Sequence, residues 1–213
     1  MSIVWACSLD VDAYAALGQR IEPPRPACPL CGAPTQRWHG YRRHLRDERD
    51  RLIRVPRLRC TSCGVTQALL PSFVVPRRWD VVAHVGQAAE LAAAGLGHRP
   101  IAATLGRPET TVRGWLRRLR SMAVPLAATL LARAVALGWS GFELPVAGLP
   151  RLCAAVGALA ERWPGGRPAS PWAVAALVTG GGLLATNTDA PLEAGAGSGE
   201  MAPNRIRELS HGP

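Results

Sequence analysis

Two short cysteine turns restrict the fold more than any other feature: Cys28-Pro-Leu-Cys31-Gly32 and Cys60-Thr-Ser-Cys63-Gly64, with 28 residues between them. A C-x-x-C turn sets two thiolates on one side of a tight loop. The glycine that follows can take a positive φ, which turns backbone N–H groups toward the sulfurs. Two such turns complete a tetrahedral four-sulfur site with no open position, the arrangement of a structural Zn²⁺ centre with bonds of about 2.3 Å. Cys28, Cys31, Cys60 and Cys63 are the predicted ligands. Metal binding of this kind supplies roughly 10–16 kcal/mol of apparent free energy, so residues 28–64 are expected not to fold without it. A rubredoxin-like iron site fits the same ligand set. A thioredoxin-type redox motif needs one pair beside a βαβ pattern; here there are two pairs and no such pattern. Cys7 and Cys153 lack a partner motif and read as small buried residues. His39 and His44 read as surface side chains.

Charge narrows the partner. The chain carries 25 arginines, no lysine and 15 acidic residues, for a net charge of +10. Residues 1–120 hold 19 Arg against 9 Asp and Glu, whereas residues 121–213 hold 6 against 6, so the whole surplus lies in the front half. The use of arginine alone fits GC-rich coding, which leaves its location unexplained. A local arginine excess calls for a polyanion, and nucleic acid comes before membrane because no basic amphipathic helix or lipidation signal accompanies it. The first residues have no basic n-region and carry Asp10 and Asp12 where a signal peptide is apolar, so a cytoplasmic, nucleoid-associated protein is expected. Met122–Phe142 is apolar on average, but Pro125 and Arg133 interrupt it, and a soluble helix is expected there rather than a span of about 20 residues.

The pattern along the chain predicts a mainly α protein with a small β zinc ribbon, followed by a helix-turn-helix domain and a C-terminal helical segment. The expected divisions are an N-terminal segment at 1–27 with a short helix over 1–18, a ribbon at 28–78, the helix-turn-helix at 79–121, a helical packing or self-association segment at 122–184 with Trp139, Trp163 and Trp172, and a disordered tail at 185–213. Within the ribbon, Gln36–Leu45 and Arg51–Arg59 read as strands joined through the polar run 46–50. Their arginines interleave with apolar residues, so Arg42, Arg43, Arg54, Arg57 and Arg59 are candidates for a phosphate-facing surface.

The helical signal is sharpest from Ile101 to Leu119. Pro100 suits the first turn of a short helix, Leu105 closes its apolar face, and Gly106 permits the left-handed turn that ends it. A second helix then starts at Pro108. On it Val112, Trp115, Leu116 and Leu119 recur at helical spacing as one buried stripe, while Thr110, Arg113, Gly114 and Arg117 fall on the outer face. Such a helix can dock on its neighbours and carry Thr110, Thr111, Arg113, Gly114 and Arg117 into a major groove, where arginine bonds guanine bidentately. Arg107, Arg118 and Arg120 are expected at phosphates. Gly114 weakens the helix by roughly 1 kcal/mol relative to alanine, yet its missing side chain permits close approach to a duplex. Asp80 is the expected N-cap of a supporting helix, Val81–Ala94.

In this order, Cys-Pro-x-Cys-Gly, Trp38-His-Gly-Tyr-Arg-Arg43, Arg57-Leu-Arg-Cys60, Leu70-Pro-Ser-Phe-Val-Val-Pro76 and the Ile101–Leu119 pattern resemble the N-terminal zinc-ribbon and helix-turn-helix region of bacterial insertion-sequence transposases. They are similar too to small actinobacterial proteins that carry this region alone. The resemblance spans about residues 28–120. It implies sequence-specific binding to double-stranded DNA such as element ends, with the four cysteines as ligands and the helix from Pro108 as reader. Full-length transposases continue into a domain in which three carboxylates hold two Mg²⁺ ions. Here only Glu143, Glu161, Asp189, Glu193, Glu200 and Glu208 follow residue 120, with no alternating strands to present them, so no catalysis and no catalytic residue are expected. The leading expectation is an accessory, remnant or derived regulator, acting as a homodimer or beside a transposase partner. The alternatives are the DNA-recognition subunit of an active recombinase and a zinc-ribbon scaffold for protein interactions.

Overall fold

The structure, a computed structural model, describes residues 2–141, 143–165 and 170–184. Ile3-Val4-Trp5 supplies the β-branched and aromatic side chains that a half-buried strand favours. Ser2–Trp5 accordingly forms β1, where the sequence predicts helix, and the helical part of this segment shrinks to α1, Val11–Leu17. Asp10 starts that helix by accepting a hydrogen bond from the Ala13 amide at 2.7 Å. β1 lies parallel to β6, Thr66–Pro71, in the register Ser2↔Ala68 to Trp5↔Pro71. β6 pairs antiparallel with β5, Arg57–Cys60, and β5 with β2, Thr35–Arg37, so the four-stranded sheet runs β1-β6-β5-β2. The N-terminal segment is thus built into the sheet that presents the second cysteine turn.

A separate hairpin joins β3, Tyr41–Arg46, to β4, Asp50–Val55, through Asp47, Glu48 and Arg49, the run predicted to turn. Each of the two long segments read as a strand is divided between sheets, at Gly40 and at Pro56. A Cβ on Gly40 would stand 2.9 Å from the Val55 carbonyl oxygen, so the close crossing requires glycine. Pro56 has no N–H to place in a ladder. The hairpin's inner face, Leu45, Ile53 and Val55, packs on Tyr14, Ile21, Leu70, Phe73 and Val74 in a small core. Tyr14 stands edge-on to Phe73 at 5.2 Å and donates its hydroxyl to the Arg54 carbonyl at 3.0 Å.

The helices follow: α2, Val82–Ala93; α3, His98–Leu105; α4, Glu109–Ala136; α5, Gly148–Glu161; and α6, Pro171–Val178. They share one larger core, in which Val112, Trp115, Leu116 and Leu119 meet Leu126, Leu130, Leu152, Val156 and Trp172. The boundary drawn at residue 121 falls inside α4. Pro125 removes one backbone bond there, but Ala123, Leu126, Ala127, Leu130 and Ala134 continue the buried stripe against α5 and the helix runs through. α4 therefore has the length and apolar content of a membrane-crossing helix, with a mean hydropathy of 1.3 over its best window, of which 33% is buried. The sequence reading expects Met122–Phe142 to lack that character.

Asp80 does not cap α2. The helix starts after Val81 without a side-chain cap, and the carboxylate is taken by two arginines described below. Trp172 is buried and lies directly on Gly86 of α2, with its indole N–H donating to Glu90 Oε1 at 2.8 Å. Trp139 and Trp163 are partly buried against the same core. The tail at 185–213, with Asp189, Glu193, Glu200 and Glu208, lies outside the described residues.

Candidate metal centre and helix face

The two cysteine turns fold as their spacing predicts. Gly32 and Gly64 adopt φ of 69° and 70°, a region that side chains rarely enter. The Gly32 amide donates to the Cys28 carbonyl at 2.8 Å, and the Cys60 amide to the Val65 carbonyl at 2.9 Å. The amides of Ser62 and Cys63 each point at Cys60 Sγ from 3.4 Å. β5 and β2 hold the turns together through the pair Thr35↔Cys60.

The four sulfurs converge. Cys28 Sγ lies 3.7 Å from Cys63 Sγ and Cys31 Sγ lies 3.5 Å from Cys60 Sγ, with all four within 4.8 Å of one another. A tetrahedron with metal–sulfur bonds of about 2.3 Å has edges of about 3.8 Å, so the cage has the right size for one ion. Among the described residues this is the one cluster of its kind. Its charge behaviour agrees. The Cys63 amide, with that of Ser62, pulls the Cys60 thiol down to about 6. At Cys63 the Val65 amide favours the thiolate, but the neighbouring sulfurs, Cys60 first, and burial push the thiol up to about 11. Four thiolates at this spacing cannot coexist without a cation between them. A metal ion held by Cys28, Cys31, Cys60 and Cys63 would be closed off and structural.

Gln67 belongs to this site and escaped the sequence reading. It is buried at 1% exposure in β6 and points Nε2 at Cys28 Sγ from 3.8 Å, as outer-shell donors do. Only the register of β6 against β5, Leu58↔Gln67, brings it there. His39 and His44 stay outside the cluster, exposed beside Trp38 and Trp79. Burial raises the thiols of Cys7 and Cys153 to about 11, which keeps both protonated.

The five candidate ribbon arginines do not share a face. Arg42 and Arg54 stand directly opposite each other on the outer side of the hairpin. Arg43 points the other way and donates to the carbonyl of Val75 at 2.7 Å and to that of Arg78. Arg57 donates to Thr66 Oγ1 at 2.6 Å, and Arg59 lies over the Trp38 ring at 4.8 Å.

Gly106, at φ 59° and ψ 40°, is left-handed and ends α3, and α4 begins three residues after it, at Glu109. Val112, Trp115, Leu116 and Leu119 are buried, whereas Thr110, Arg113, Arg117 and Arg120 are exposed and Thr111, Gly114 and Arg118 are partly so. A Cβ on Gly114 would meet nothing within 4 Å, so packing does not demand glycine there. Arg107 departs from its expected place at a phosphate. Its side chain is 8% exposed and ion-paired with Asp80, because the turn directs it inward between the hairpin and α2.

Residues 28–115 match a family described as a domain of unknown function (DUF6431). The matched stretch runs from Cys28 through β2, the hairpin, β5, β6, α2 and α3 to Trp115 on α4, and leaves out β1. No match is found among curated proteins or among solved structures.

Proposed function

We propose that this chain is a zinc-dependent DNA-binding protein in which a four-cysteine ribbon holds a helix-turn-helix, α3 and α4, against a duplex. The observation that carries the reading is the outer face of α4 just beyond the left-handed turn. Thr110, Arg113 and Arg117 are exposed there, opposite a fully buried stripe, and a helix so divided can lie in a major groove with threonine and arginine toward the bases. Arg42 against Arg54 supports it from the hairpin, since like charges directly opposite are unfavourable unless a polyanion lies across them. Zinc is preferred to iron because a closed four-thiolate cage needs no redox partner to serve as a clamp. The relation to insertion-sequence transposases suggested by the motifs makes element ends or operators the natural targets, and the chain is assigned no catalytic step of its own. Paired half-sites would call for two copies of it.

The test is duplex binding by the zinc-loaded protein across a salt series. If six phosphates are neutralised, log K falls with log salt at a slope of about −5. A flat response would show that the arginine surplus serves some other partner and would overturn the reading. Metal content measured on protein purified without added metal should show one zinc per chain.

A further inference from the structure

A shallow open concavity of about 300 Å³ lies between the segment that links β6 to α2 and the start of α4. Arg78 forms one side of it, and residues of the first turns of α4, from Thr110 and Thr111 to Arg117 and Arg118, form the rest. We propose that this concavity seats one phosphodiester group of the DNA backbone, with Arg78 and Arg118 as its donors, and so sets the register of α4 in the groove. The inference rests on the DNA-binding reading and adds to it a residue outside the helix pair.

Four observations carry it. No acidic side chain lines the concavity although three arginines do, an arrangement that leaves positive charge uncompensated unless an anion enters. Trp115, which lines the concavity, is 1% exposed, and its indole N–H is a buried donor with no partner among the described residues, a costly arrangement. Gly114 leaves open space where any other residue would project. Arg78, finally, is held by its backbone. Its amide donates to the Val75 carbonyl at 3.2 Å, its own carbonyl accepts from Arg43, and the next carbonyl, of Trp79, accepts from the Arg46 amide at 2.6 Å. Arg77 beside it takes φ 59°, a conformation that a residue with a side chain holds only where its surroundings impose it. The hairpin thereby fixes the point from which Arg78 reaches toward α4. A guanidinium held off the helix axis in a concave site suits a phosphate, which positions, rather than a base edge, which specifies.

The experiment compares wild type with Arg78→Gln and Arg78→Lys on a preferred duplex and an unrelated one, by fluorescence anisotropy at several salt concentrations. Arg78→Gln should bind both duplexes about tenfold more weakly and flatten the salt slope by about 0.9, while Arg78→Lys keeps the slope. Matching unfolding midpoints confirm that each variant is folded. An Arg78→Gln protein with unchanged affinity and slope overturns the phosphate site while leaving DNA binding intact. A loss confined to the preferred duplex overturns it as well, since it makes Arg78 a base reader. If wild type binds no duplex, the DNA reading falls, and titration with inorganic phosphate decides the site. A shift of the Trp115 indole N–H resonance that Arg78→Gln abolishes retains an anion pocket; an unmoved resonance removes it.

Discussion

Arg107 Nε lies 3.1 Å from Asp80 Oδ1, with the two side chains only 8% and 5% exposed. The same carboxylate receives Arg46 Nε from β3 at 3.0 Å. Arg107 also donates to the Asp47 carbonyl in the hairpin turn and reaches Nδ1 of His84 in α2 at 3.0 Å. Three elements therefore converge on the residue that follows the α3–α4 turn. The ribbon and the helix pair are joined by charge as well as by packing, so whatever orders the ribbon also orients α4.

Asp80→Ala removes the counter-charge of a shielded guanidinium. The loss should cost about 3 kcal/mol, since breaking one side of a buried pair leaves the other charge unpaired. Arg46 is 31% exposed on its side chain, and Arg46→Ala should cost under about 1 kcal/mol because solvent screens that partner. Urea unfolding of both variants reads the difference. Equal costs would mean that Asp80 does not work mainly through Arg107.

His84 supplies a pH signature of the same junction. Burial, and then the adjacent Arg107, lower its pKa below the ordinary value of 6.5, while Asp47, Asp80 and Glu48 oppose the shift only in part. In this range the unfolded chain takes up a proton that the folded chain refuses. Stability is thus fully present above about pH 6.5 and falls as the pH drops below it toward the lowered value. His84→Gln, whose amide oxygen can still accept from Arg107, should remove this part of the slope between pH 7 and 5. Unchanged slopes in unfolding midpoints across that interval would rule it out.

Local chemistry made some of this molecule legible in advance. The cysteine turns, the left-handed Gly106 and the buried stripe of Val112, Trp115, Leu116 and Leu119 each depend on a few neighbouring residues, and each stands where the spacing puts it. What depended on distant partners did not show. β1 is a strand because Thr66–Pro71 offers it an edge, Gln67 faces a sulfur because of a register, and α4 passes Pro125 because α5 covers it. Arg107 is the clearest case. Its sequence neighbours suggest a surface cation, and only the arrival of Asp80 and the hairpin turn make an inward position favourable.

Removal of the metal should unfold the front of the chain. The segment from Cys28 to Cys63 has few apolar residues of its own in a core, and the cage has no substitute for the roughly 10–16 kcal/mol that metal binding provides. Chelation, or Cys60→Ser, should abolish the amide protection of β2 and β5 in hydrogen exchange. Gln67→Leu should keep the fold and weaken metal retention about tenfold against a competing chelator. Protection that survives exhaustive chelation would show that the sulfur cluster closes without an ion.

Two glycines on helices separate packing from function. A Cβ on Gly86 would stand 2.1 Å from Cδ1 of Trp172, so the ring must move and its bond to Glu90 must stretch or break. Alanine normally favours a helix by about 1 kcal/mol over glycine, but overpacking of this kind costs typically 1–3 kcal/mol, and Gly86→Ala should be destabilising by about 2 kcal/mol. Gly114 has open space at the same position. Gly114→Ala should therefore stabilise the protein by up to about 1 kcal/mol, and Gly114→Leu should leave it folded. If α4 enters a groove with this face inward, Gly114→Leu nevertheless weakens duplex binding, because the added side chain occupies the space that the DNA must fill. Full binding by a folded Gly114→Leu protein would place the duplex elsewhere on the surface.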